Sequence, residues 1–282
     1  MKSGREPGRR RRRANIIAII HAIFAPWFVF VALFAVMSFS LHYNYPHWAW
    51  MAALSGFGLM AMQMASTIAA QQAGQSVLWP GFMVFAFFGA VSLATVLGDM
   101  NFWYNLQPYY NMITLNTYPN VNPAEERGDA MLDAGRVYFA PGTRVDPSKA
   151  MGFKNLLVYC VAPIVHGDVQ PESYDFWAVG IDCCSGSSPD FRCGEYRSRS
   201  ARSGLRLTRD DQRPFFSLAV QQAEAAYSIS APHPLFFYWL KDPVTEMVSF
   251  RTQGYKFYVL GVFTHFAVNL FCVIFTGVLL SG

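Results

Sequence analysis

Charge is scarce in this chain. Only 14% of its 282 residues are Asp, Glu, Lys or Arg, against roughly a quarter in soluble domains. Several chemistries are missing as well. The sequence has no His-Glu-x-x-His metal helix, no phosphate-binding glycine loop and no dinucleotide fingerprint. It has no Gly-x-Ser-x-Gly turn for a serine nucleophile. No Cys-x-x-Cys occurs, which argues against a redox-active dithiol and a paired zinc ligand set. No Asn-x-Ser/Thr glycosylation acceptor, internal repeat or extended low-complexity segment is present. No cofactor is named by any motif, and no catalytic, cofactor or metal residue is assigned.

The few charges are unevenly placed. Residues 1–14 hold seven basic groups, including the run Arg9, Arg10, Arg11, Arg12 and Arg13, against one acid, Glu6. Residues 99–255 hold fourteen basic and seventeen acidic groups. The folded body is therefore close to neutral, which argues against a nucleic-acid binder, whose domain would carry a basic face. The arginine run reads as a solvated tail suited to anionic lipid headgroups.

Charge is absent altogether from four apolar stretches: about 16–41, 48–70, 79–97 and one beginning near residue 257. Each is long enough to cross a hydrocarbon layer as a helix, the form that satisfies its own backbone in lipid. The first is too long for a signal-peptide core and reads as an uncleaved anchor. Pro26 is a candidate kink. Basic residues beside a span tend to stay cytoplasmic. Four crossings then put both termini in the cytoplasm and residues 99–255 on the lumenal or extracellular side of an unidentified membrane.

The expected organisation is a basic tail (1–14), spans one to three (15–98), an α+β domain (99–255) and a fourth span (256–282). Within the domain, Arg136–Phe139, Asn155–Val165 and Tyr174–Cys183 read as strands, the last two as a hairpin. Gly204–Thr208 reads as an edge strand, and Pro123–Leu132 as a short helix. Pro214–Ser228 reads as an amphipathic helix whose packed face carries Phe215, Leu218, Ala219, Gln222 and Ala226.

Cys160, Cys183, Cys184 and Cys193 fall in the domain, on the side where disulfides form. A bridge between the adjacent pair Cys183 and Cys184 would be strained. Each is therefore expected to take one of Cys160 and Cys193, in either order. A zinc set of Cys183, Cys184, Cys193 and His166 lacks the usual ligand spacing. Acid–base chemistry has candidates in His166, Asp168, Asp175 and Asp182, without a motif to join them.

Inside the spans, Gln63, Thr67 and Gln71 share one helical face, and His265 and Asn269 another. Cys272 reads as a small packing residue. These polar faces point first to hydrogen bonds between helices and second to a transport path.

The segments Asp-Cys-Cys (182–184), Phe-Arg-Cys-Gly (191–194), Gly-Leu-Arg-Leu (204–207), Ala-Val-Gln-Gln-Ala-Glu-Ala (219–225) and His-Pro-Leu-Phe-Phe (233–237) resemble a group of multi-span membrane proteins of single-celled algae. The resemblance covers about residues 98–254. It implies no activity, cofactor or site residue; an algal origin would admit an internal membrane such as a plastid's. The expected role is an accessory protein, set in the lipid bilayer beside other membrane subunits, that presents its oxidised domain to a partner. A small transporter subunit and a lumenal enzyme are the alternatives.

Overall fold

A computed structural model describes residues 16–75, 77–186 and 188–281. The arginine run lies outside them. The chain divides into two compact units, residues 1–106 with 253–282, and residues 107–252.

The first unit is helical. Its elements are α1 (Ile16–Ser38), α2 (Ser40–Asn44), α3 (Pro46–Gln72) and α4 (Leu78–Asn101), continued by a π-helical turn, Phe102–Leu106. It also holds most of the last helix, α7 (Pro243–Ser281). Among the described residues, four helices are long and apolar enough to cross a membrane. Phe30, Leu33, Phe34 and Met37 recur at helical spacing and bury one stripe of α1 against Ala49, Ala53, Ala90, Val91 and Ala94. Small side chains on the facing helices let the backbones approach.

Three boundaries differ from the sequence expectation. Residues 42–47, which separate the first two apolar stretches, fall mostly into α2 and α3, and α1 stops at Ser38 rather than near residue 41. His42 is buried, with Nδ1 2.7 Å from the Met37 carbonyl, and its ring stacks on Phe102 at 4.1 Å. The third helix does not end near residue 97: the helical chain runs on past Gly98 and Asp99 to Ile113, through α5 (Gln107–Ile113). Gly98 is a contact residue, since a Cβ there would lie 2.5 Å from the Met37 Cβ. The fourth helix begins at Pro243, well before residue 257. Asp242 caps it, accepting the Val244 and Thr245 backbone N–H groups at 2.9 and 3.2 Å, with Pro243 in the first turn.

The second unit is a mixed sheet with one long helix. Its strands are β1 (Asn116–Val121), β2 (Ala134–Phe139), β3 (Thr143–Val145), β4 (Met151–Asn155), β5 (Leu157–His166), β6 (Phe176–Ile181), β7 (Ser203–Arg206) and β8 (Leu235–Leu240). Their order is β1-β2-β7-β8-β6-β5-β3, with β4 also on β5. The β1/β2 and β6/β8 pairs are parallel and the others antiparallel. The β5–β6 pair is in register from Tyr159 opposite Ile181 to Pro163 opposite Trp177.

The strand expected over residues 155–165 is present as β5 but begins at Leu157. The chain folds back just before it, at Leu156, whose φ is +59°, so that β4 lies on β5. Gly204–Thr208 is not an edge: β7 is bonded to β2 and β8. Its alternation misleads because the polar position Arg206 is buried too. Residues 123–132 form turns and one 3-10 turn, Gly128–Met131, rather than a helix.

Helix α6 (Arg213–Tyr227) packs on β4 and β5. Its buried face is Phe216, Ala219, Val220 and Ala223; Leu218, Gln222 and Ala226 face out. Of the expected face, Ala219 is buried and Phe215 is half-buried, stacking on Tyr159 at 4.7 Å, but the centre of the packed face is turned toward Phe216 and Val220. Tyr159, Val161, Trp177, Val179 and Phe236 meet α6 on this side of the sheet. On the other side Cys160, Ala162, Phe176, Ala178, Phe237 and Trp239 are covered partly by loop residues, among them Phe191, Cys193 and Ala201. An irregular segment thus stands where a second helical layer would lie, and it must be held there by something other than a helical ladder.

Candidate binding site beside two disulfides

The irregular cover is fastened where β6 ends. After Ile181 the backbone turns at Asp182, whose φ is +56°. Asp182 is tied to β5 twice: its N–H donates to the Val158 carbonyl at 2.8 Å, and its Oδ1 accepts the Val158 N–H at 2.8 Å. The next two residues then diverge. Cys184 bridges back to Cys160 on β5, and Cys183 bridges to Cys193 in the loop. The Cα–Cα spans are 5.8 and 5.2 Å, within the range a disulfide closes. Of the two pairings that the sequence leaves open, this one lets the first cysteine hold the loop and the second hold the sheet.

Gly180 makes room for the crossing. A Cβ at that position would lie 2.5 Å from the Cys193 Cβ and 2.6 Å from the Cys183 Sγ. The sulfurs of Cys160, Cys183 and Cys193 lie within 4.8 Å of one another. All three are bonded to other sulfurs, and metal coordination requires thiolates, so the cluster is a covalent pin and not a ligand set.

Hydrogen bonds shape the rest of the loop. The Arg192 N–H donates to the Cys183 carbonyl at 2.9 Å, closing the small ring. Asp190 Oδ1 accepts the Ser185 N–H and hydroxyl, both at 2.8 Å, and these bonds hold its carboxyl below the ordinary range. Beyond Gly194, Glu195 donates its N–H to the Trp239 carbonyl at 3.0 Å, and its carboxylate accepts from Lys241 N–H. Strand β8 is therefore stitched to the pinned loop.

Beside this pin is a cavity of about 460 Å³. Ile181, the Cys183–Cys193 bridge, Trp239 and Phe250 give it an apolar lining, and Arg192 and Glu246 bring opposite charges to it. Tyr238 also lines it; burial pushes its phenol up to about 12, so the group stays neutral. The arrangement suits an apolar group flanked by polar atoms, the usual lining of a ligand pocket.

The acid–base candidates are elsewhere and separately engaged. His166 Nδ1 lies 3.2 Å from the Thr143 hydroxyl, and Asp168 pairs with Arg144 at 3.1 Å. Buried Asp175 accepts from the Gly128 N–H at 2.8 Å and the Ser173 hydroxyl at 3.1 Å. Asp182 serves the turn just described. None of the four lines the cavity beside the disulfides.

The polar residues of the long apolar helices fall into two places. Asn269 Nδ2 donates to the Ala22 and Ile23 carbonyls of α1 at 3.1 and 2.8 Å. His265 stacks on Phe30 at 4.1 Å, with Nδ1 buried and lacking a hydrogen-bond partner. Gln63 lines a different cavity, of about 360 Å³, with His21, Ser66 and mostly apolar neighbours. Thr67 bonds back to the Gln63 carbonyl of its own helix, and Gln71 is exposed. Cys272 is a free cysteine.

Sequence reasoning missed Arg206, a buried guanidinium on β7, and the contributions of Glu246 and Phe250 to the cavity. The signal for the latter pair was present: Asp242-Pro243 announces a helix start. Comparison with protein families, curated proteins and solved structures gives no match to this chain.

Proposed function

We propose that the protein is a membrane-anchored binding module. Its apolar helices lie in the bilayer with both termini cytoplasmic, and residues 99–255 stand on the lumenal or extracellular side. There the disulfide-pinned domain receives a partner subunit of the same membrane. The observation that carries this reading is the cavity against the Cys183–Cys193 bridge, apolar within and charged at Arg192 and Glu246. Two disulfides fasten its wall, which suits a surface kept in one shape and an oxidising compartment. The engaged state of His166, Asp168, Asp175 and Asp182 supports binding over catalysis.

A photo-crosslinking residue at Arg192 in native membranes tests the reading. A discrete adduct with one membrane protein is expected, weakened when Phe250 is also changed to Asp. The same residue at exposed Lys154 should give no such adduct. Equal labelling from both positions, or none from either, contradicts the proposal.

A second reading, a transport subunit, draws on the cavity that Gln63 shares with His21. It requires solute flux that depends on Gln63. The engagement of Asn269 with α1 weighs against one polar path through both faces.

A further inference from the structure

Arg206 is a buried cation without an anion. Only 8% of the residue is exposed, and its Nη1 is buried with no hydrogen-bond partner. None of the ion pairs among the described residues includes it. Its guanidinium lies over the ring of Phe237, its cross-strand partner, 5.6 Å from the centroid. That contact returns part of the lost hydration but supplies no acceptor. A buried charge left in this condition is costly unless something completes it.

Burial pulls the Arg206 guanidinium down to about 10, and the nearby Arg213 charge acts in the same direction. The group is still a cation at neutral pH. Two cations are thus near one another where one is already short of partners.

Both line a cavity of about 260 Å³. Thr208 and Asn111 add polar side chains, and Leu115, Leu132 and Leu207 add apolar ones. Asp210 lines it too, 3.9 Å from Arg213 and largely exposed. Two arginines against one aspartate leave a single positive charge unmatched. That balance favours a singly charged ligand over a dianion, and the leucines favour a ligand with a hydrocarbon part.

We propose that this cavity is a binding site for a small organic carboxylate, whose head pairs with Arg206 and whose apolar part lies along Leu115, Leu132 and Leu207. The guanidinium fork matches a carboxylate's two oxygens. The site is separate from the cavity beside the disulfides, so it adds a small-molecule ligand to a protein read above as a partner-binding module.

The test is titration calorimetry on the full-length, oxidised protein in detergent at low salt, with hexanoate as probe and hexanamide and inorganic phosphate as comparisons. Saturable hexanoate binding is expected, with much weaker binding of the uncharged amide and of phosphate. Arg206→Met should lower hexanoate affinity by about tenfold or more. It removes an unpaired buried charge, so it should not lower the melting temperature. Arg213→Gln, at a half-exposed position, gives a second variant, with a smaller loss expected. Hexanamide binding as tightly as hexanoate overturns the proposal, as does full hexanoate affinity in both variants. Absence of saturable hexanoate binding, or phosphate binding in its place, overturns it as well.

Discussion

Asn269 donates its side-chain amide to the backbone carbonyl of Ala22 at 3.1 Å. That carbonyl lies four residues before Pro26, which has no N–H to offer it. A proline in one helix and an asparagine in another are therefore complementary. Each would be unfavourable alone in an apolar surrounding, and helices in lipid tolerate a proline where a neighbour satisfies the freed group.

The pairing predicts non-additive mutations. Asn269→Leu should weaken the helical unit by about 0.6–2 kcal/mol. In a Pro26→Ala background the helix supplies its own donor at residue 26, and the same change should cost less. Thermal unfolding of the four proteins in one detergent gives the coupling energy. Equal costs in both backgrounds would show that Asn269 acts through packing alone.

The two disulfides should be separable. Replacing Cys183 and Cys193 together by Ser opens a ring of sequence separation 10, worth about 2–3 kcal/mol by chain entropy. Replacing Cys160 and Cys184 opens a separation of 24, with a slightly larger loss of about 3–4 kcal/mol. The variant lacking Cys160 and Cys183 leaves only Cys184 and Cys193. It should show free thiols after oxidative folding, by mass shift with an alkylating agent, whereas the first two variants should show none in the remaining pair.

Leu156 occupies the left-handed region at φ +59° and is 96% exposed. A leucine there bears a steric cost without a burial gain. Leu156→Asn should raise domain stability by about 0.5–1 kcal/mol, because Asn tolerates this conformation. Denaturant unfolding measures it. A loss instead would show that Leu156 has a contact partner in the native assembly.

Acid sensitivity should trace in part to Asp146. Burial works against its charged form, but bonds from Ser148 and Lys149 outweigh this and hold the carboxyl below 3.8. A depressed folded value contributes stability that is present above the unfolded value and lost as pH falls through the folded one. Lys149 is raised above 10.5, chiefly by its bond to Asp146, so its share is present below that value and lost at higher pH. Asp146→Asn should flatten the decline in melting temperature below about pH 4.

The long apolar helices were legible because each contains an unbroken run of uncharged residues. Their ends were not, because the cues are individual contacts. Gly98 resembles a helix stop and is instead a helix-packing residue, recognisable only once Met37 lies against it. Position 242 carried an ordinary cap signal that the long apolar run after residue 257 overshadowed. In the domain, β5 and β6 announced themselves by apolar length. Strand β4 did not, because the turn separating it from β5 is a leucine in a conformation usually left to Gly or Asn. The cysteine segment stood out by composition. Arg206 did not, because an arginine inside an alternating run reads as solvent-facing, and only the sheet order makes its strand interior.

The central claim is that the domain stands beyond the cytoplasm with its cysteines oxidised. Protease added to sealed, cytoplasm-side-out vesicles measures this most directly. The account predicts that residues 99–255 survive intact until detergent opens the vesicles, and that the protected fragment migrates faster before reduction than after it. Digestion of the domain in sealed vesicles would contradict the account.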